Sequence, residues 1–134
     1  MTPQSPCPCG RLDARGKPRA FAQCCGPVLA GQHAPDAETL MRSRYTAYVL
    51  GDQAYLRATW HPDTCPADLG AEPGTKWLGL QVRDHRVVDG DHAEVEFVAR
   101  YRVHGRGARM HERSRFVRDA RGRWLYVEGA NPPG

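Results

Sequence analysis

From Trp77 onward the chain alternates apolar and polar residues, and three short glycine-bearing breaks cut that alternation into four segments. The breaks are Asp89-Gly90-Asp91, Gly105-Arg106-Gly107 and Ala120-Arg121-Gly122. Strands joined by connections this short pair antiparallel, because a parallel crossover needs a dozen residues or more. The second half of the chain is therefore predicted to be a four-stranded antiparallel meander. In its second segment Ala93, Val95, Phe97, Ala99, Tyr101 and Val103 share a face. In the first, Leu78, Leu80 and Val82 are expected on one face, with Trp77 and Gln81 on the other. In the third, Glu112, Ser114 and Phe116 fall together opposite His111, Arg113 and Arg115, and Phe116 marks the first set as the buried one.

Before Trp77 the period is helical. Apolar residues recur at 37, 40, 41, 45, 48 and 49, behind a capping Asp36 and ahead of a terminating Gly51. Asp52 is read as the cap of a shorter helix over 53–60, ended by His61-Pro62. Helices followed by an antiparallel sheet give an α+β fold, with a curved sheet wrapping the long helix. Residues 27–35 carry Pro27, Gly31 and Pro35 and read as a linker. It divides a small element over 1–35 from a main domain over 36–134. Residues 63–75 are expected to be a loop or a short helical turn.

The chain has 134 residues, which suits one domain with an appendage. No apolar run approaches the roughly 20 residues of a membrane helix. The start, MTPQSPCPCG, has neither a basic nor an apolar region of a signal peptide, so a cytoplasmic setting is the expectation. The formal net charge of +4 is a mild excess and reads first as a solvated, arginine-rich surface. RNA binding ranks last among the readings, because Tyr101 and Phe116 fall on buried faces and leave no stacking platform.

Four of the five cysteines, Cys7, Cys9, Cys24 and Cys25, lie close together in sequence. Cytosolic thiols stay reduced, so such a cluster points to a metal before disulfides or free thiols. Two pairs from separate turns can complete a tetrahedral thiolate shell, which suits structural zinc and leaves no open position for catalysis. Gly10 and Gly26 follow the pairs and permit tight turns. The run CPCG…CCG resembles the SEC-C motif, a small zinc-binding element. The usual motif has C-x-C, eight residues, then C-C or C-H. This chain matches at the four cysteines and at Lys17 and Phe21, with a spacer longer by six residues.

The stretches LMRSRYTAYVLGDQAYLRATWHP, WLGLQV, FVARYR, HERSRFVR and RWLYVEG, in this order, are similar to the YchJ-like bacterial family (UPF0225). The resemblance implies a SEC-C element followed by a nuclear transport factor 2-like domain, a cone in which a curved sheet cradles helices. It implies no established activity.

No Ser–His–Asp set, Cys–His dyad, P-loop or dinucleotide fingerprint is present in the sequence. Site candidates are therefore sought where a cone pocket would form. His61 is a candidate acid or base and Glu112 a candidate base or buried ion-pair partner of Arg44 or Arg100. Arg42, Arg44, Arg100 and Arg113 are candidate anion-binding residues, and Tyr45, Trp60 and Trp77 candidate walls. Two readings of function follow. In the first, the knuckle presents Arg11, Arg15, Lys17 and Arg19 to an acidic protein or a ribosome-associated partner, and the sheet domain is a second binding or dimerisation surface. In the second, the cone pocket serves a small-molecule binder or an isomerase- or hydratase-like enzyme.

Overall fold

The computed structural model describes residues 2–69 and 74–130. Its elements run α1 (Cys25–Leu29), α2 (Ala37–Leu50), α3 (Gln53–Ala58), β1 (Lys76–Asp89), β2 (His92–Val103), β3 (Arg106–Arg118) and β4 (Trp124–Ala130), with a single 3-10 turn at Phe21–Gln23 before α1. The sheet is an antiparallel meander in the order β1-β2-β3-β4, curved around α2. This is the α+β cone that the period change implies. Within the segment read as a linker, residues 27–29 belong to α1. Pro27 sits in the first turn of that helix, where its missing N–H costs nothing.

Local chemistry sets the helix ends. The Asp36 carboxylate accepts the Thr39 amide at 2.7 Å, and Asp52 accepts the Tyr55 amide at 3.0 Å. Gly51 closes α2 with φ +74°, a left-handed geometry that favours glycine. α3 ends at Ala58, two residues short of the expected end, because Thr59 turns its hydroxyl back to the Tyr55 carbonyl at 2.8 Å.

β1 departs from simple alternation. Its pairing with β2 skips Leu78, which sits in a bulge between Trp77 and Gly79. The bulge reverses the facing of every residue before it. Trp77 therefore packs on the core with Leu80 and Val82, and Leu78 is 47% exposed. In β2 the expected inward set holds from Ala93 through Ala99, all buried, while Tyr101 and Val103 are half-buried and Val98 is buried from the opposite parity.

The N-terminal segment is no separate lobe. Cys7, Cys9, Cys25 and Val28 belong to the same buried cluster as Leu40, Met41, Val95, Phe97 and Phe116. α2 lies between, with the N-terminal element on one side and the concave sheet face on the other.

Candidate functional site

The first site is the cysteine cluster. Cys7, Cys9, Cys24 and Cys25 bring their sulfurs within 4.8 Å of one another, with all but Cys24 buried. A tetrahedral zinc–thiolate shell, with Zn–S of about 2.3 Å, separates its sulfurs by about 3.8 Å. The donor set thus fits a four-coordinate soft cation. The long spacer does not disturb it. Residues 11–19 fold back as a small hairpin, bridged at Leu12–Pro18 and Pro6–Ala20, with the Cys7 amide bonded to the Arg19 carbonyl at 2.8 Å. Gly10 turns the chain after the first pair with φ +74°. Gly26 answers a different need: a Cβ there would stand 2.9 Å from the Phe21 carbonyl oxygen and 3.2 Å from its ring.

Four thiols this close perturb one another. Hydrogen bonds, chiefly from Cys24, pull the Cys7 thiol far below its ordinary value and bring Cys9 down to about 7. Cys25 is pushed strongly up, first by Cys24. The Cys25 hydrogen bond alone would lower Cys24, but Cys7 and Cys9 outweigh it and Cys24 rises as well. The set cannot shed all its protons alone, and a bound cation removes that obstacle.

Arg42 belongs to this site rather than to the cone. Its Nη1 donates to the Cys9 carbonyl at 3.0 Å and its Nε to Glu38 at 2.8 Å. Burial works against the charge, yet Glu38 and Cys9 together more than offset it and hold Arg42 above its ordinary value. About one turn onward, four residues along α2, Thr46 approaches the Cys7 sulfur at 3.8 Å. One face of α2 thus backs the cysteines.

The other face of α2 lines a cavity of about 250 Å³ against the concave sheet. Its walls are aromatic, with Tyr45, Tyr48, Trp60, Trp77, Phe116 and Tyr126 among them. Two charges enter it. Arg44 is 5% exposed and donates through Nη1 to the Leu56 carbonyl at 2.9 Å and the Thr59 hydroxyl at 2.7 Å. Its guanidinium carbon lies 4.9 Å from the Trp60 ring centre and 4.7 Å from that of Tyr126. Burial lowers its basicity, with Tyr48 and Tyr126 opposing the shift. Glu112 comes from β3, and its Oε2 accepts the buried Ser114 hydroxyl at 2.7 Å.

Among the described residues Glu112 makes no ion pair with Arg44 or Arg100, contrary to the expected pairing. Arg44 donates to the Leu56 carbonyl and the Thr59 hydroxyl, Glu112 accepts from Ser114, and Arg100 lies on the opposite face of the sheet. Burial also raises Tyr45 to about 12 and pushes Tyr48 and Tyr126 up, so these phenols stay neutral donors near pH 7.

Three further candidates lie outside the cavity. Residues 59–61 run alongside β4, with the Tyr126 amide on the Thr59 carbonyl and the His61 amide on the Tyr126 carbonyl, each at 2.8 Å. Side chains alternate along such a segment, so Trp60 points in and His61 out, where His61 Nδ1 accepts the Asp63 amide. Arg113 faces the outer side of the sheet and pairs with Glu94 at 2.7 Å, Asp84 at 3.0 Å and Glu96 at 3.2 Å. Arg100 is exposed on that same outer side, opposite Arg109. Strand parity excludes both from the cone. Sequence reasoning missed Ser114 and Tyr48 as cavity residues; the shared parity of Ser114 and Glu112 was the available signal.

Comparison with known proteins agrees with this architecture. Residues 36–129 match the family model described as "YchJ, middle NTF2-like domain". A UPF0225 protein of a Polaromonas species is 59% identical, covering 96% of this chain and 95% of its own. One from Cupriavidus metallidurans is 54% identical over 96% and 90%. The solution structure of a SEC-C motif containing protein from Rhodopseudomonas palustris is 38% identical with a TM-score of 0.81, covering 96% of this chain and all of that one. The crystal structure of a SEC-C motif containing protein from Psychrobacter arcticus is 30% identical with a TM-score of 0.79, over 98% and 85%. With relatives this similar over nearly their whole length, and with the cone domain matched by its own model, the chain belongs to the YchJ-like UPF0225 family.

Proposed function

We propose that this protein is a zinc-braced small-molecule binder whose site is the aromatic cavity under α2. The observation that carries the reading is Arg44: a buried guanidinium on a cavity wall, stacked on two rings, with no carboxylate partner among the described residues. Burying a cation without a counter-charge is costly, and such groups persist where an anion completes them. The cavity is slightly below the usual 300–1,000 Å³ of ligand pockets, which suits a small organic anion. Thermal denaturation with a panel of small aromatic carboxylates tests this. At least one should raise the melting temperature, and Ala99→Leu, which fills the cavity floor, should remove the rise. A panel in which no anion shifts the transition removes the reading.

Zinc is the ion that the cysteine set suits best, in a structural role, because four thiolates complete its shell and leave no position for substrate. Metal content and thiol titration check it on protein purified under reducing conditions. One zinc per chain, with only Cys65 reactive until a chelator is added, is the expected result. Five reactive thiols and no metal would remove zinc from the account.

A second reading, docking on an acidic protein or ribosome-associated partner, is favoured by one observation. Arg15 and Lys17 stand exposed on the hairpin, and Asp13 is occupied in capping its turn through their two amides. Reversing both charges (Arg15→Glu with Lys17→Glu) should abolish co-purification of any such partner; an unchanged set of partners rejects docking through the hairpin.

A further inference from the structure

The cavity is not only basic. Glu112 is set into it by a purpose-shaped piece of backbone. Gly129 of β4 lies directly beneath the Glu112 carboxylate, and any Cβ at that position would collide with it. Ser114 fixes the carboxylate from one side with its hydroxyl. Ser114 is itself 1% exposed and is held in the ladder between Val95 of β2 and Gly129 of β4, so the acceptor end of the cavity is as fixed as the donor end.

At the donor end stand Arg44 and the indole of Trp60. Trp60 Nε1 is buried and has no hydrogen-bond partner among the described residues. A buried N–H left without an acceptor is uncommon in folded proteins and costly to keep. Arg44 and Trp60 therefore offer adjoining donors at one pole, against an aromatic wall. Tyr48 and Tyr126 lie within electrostatic reach of both Arg44 and Glu112, so the charges face the same space without pairing. A ligand that only satisfied Arg44 would lay its body against the half-buried Glu112 carboxylate without giving it a hydrogen bond, a loss that favours a ligand with a donor of its own.

We infer that the cavity takes a small carboxylate with a flat apolar body and a hydroxyl or amine donor at its other end, the carboxylate on Arg44 and Trp60 and the donor on Glu112. This rests on the binding reading above and adds the ligand's second pole. The aromatic walls suit the flat body. The two poles set its polarity and its direction.

Calorimetry on the full metal-loaded chain with matched probes tests the inference. Para-hydroxybenzoate and para-hydroxyphenylacetate carry both poles at two spans. Benzoate and phenylacetate lack the donor, and para-cresol and para-ethylphenol lack the acid. The better-fitting two-pole probe should bind about tenfold or more tighter than either of its single-pole counterparts, as expected for a hydrogen bond to a charged group. Glu112→Gln and Gly129→Ala should each erase the advantage of the hydroxyl, the second by displacing the carboxylate without removing its charge, while leaving binding of the donor-free acids in place. Circular dichroism and thermal unfolding verify that both variants fold. Equal binding of hydroxylated and donor-free acids overturns the inference and leaves the binding reading standing. Binding of neither acids nor phenols removes both. An unchanged hydroxyl preference in folded Gly129→Ala and Glu112→Gln also overturns the inference.

Discussion

Substituting Gly26 by alanine sets two physical effects against each other, and the sign of the result decides between them. Gly26 lies inside α1 and lacks the positive φ that would by itself require glycine. On helix propensity alone, alanine should stabilise the chain by about 1 kcal/mol. Packing says the reverse. The added Cβ would stand 2.9 Å from the Phe21 carbonyl oxygen and 3.2 and 3.3 Å from two atoms of its ring. That oxygen cannot swing away freely, because it accepts the Cys24 amide at 3.1 Å, at the start of the Cys24-Cys25 pair. Overpacking of this kind costs about 1–3 kcal/mol, and backbone as the obstacle places this site in the upper part of that range. The net expectation is a loss of about 1–2 kcal/mol. Urea unfolding at a fixed zinc concentration measures it as a lower midpoint at unchanged slope. A variant as stable as the parent, or more so, would refute the claim that this glycine is there for the close approach of Phe21.

Three further expectations follow from the same kind of reasoning. Arg42→Met should destabilise by about 1–3 kcal/mol in urea unfolding, since it strips the Cys9 carbonyl and Glu38 of a charged donor. Asp36→Ala should cost about 1 kcal/mol near neutral pH; burial alone would raise this carboxyl, but the Thr39 hydrogen bonds hold it below its ordinary 3.8. A carboxyl lowered on folding stabilises above its unfolded value and loses that contribution as pH falls through the folded one, so the gap between parent and variant should close on acidification below 3.8. Leu78→Lys should change stability by no more than about 0.5 kcal/mol, because the bulge leaves Leu78 exposed; a loss of several kcal/mol would mean that the strand alternates without interruption.

What the sequence made legible was local. Asp36, Gly51 and Asp52 act within one turn of their own positions, and each does in the structure what its residue type suggests. β2 could be read because its alternation runs unbroken from Ala93 to Val103. β1 could not, because no residue at 78 announces a bulge; the extra residue is tolerated only through pairing with β2. The cavity's polarity was half legible. Parity put Glu112 inside and Arg113 outside, but nothing in the local sequence shows that Arg44 is spent on the Leu56 carbonyl and the Thr59 hydroxyl rather than on Glu112. That arrangement depends on α3 folding back against α2. The hollow at Gly129 depends on the register of β3 with β4, which neither strand encodes alone.

The bulges of β1 bear on a question apart from function. This strand is one edge of the sheet, it is 14 residues long, and Val87 and Val88 are exposed on it beside Leu78. A flat apolar edge of that length would invite strands from other copies to add on without limit. Its register is broken three times, after Trp77, Val82 and Val87, and each break kinks the outward row of amide and carbonyl groups. An approaching strand can therefore match only a few residues before losing alignment. Deleting Leu78 would remove the first of the three breaks and lengthen the run that a foreign strand could match at that end, with aggregation rather than misfolding as its cost.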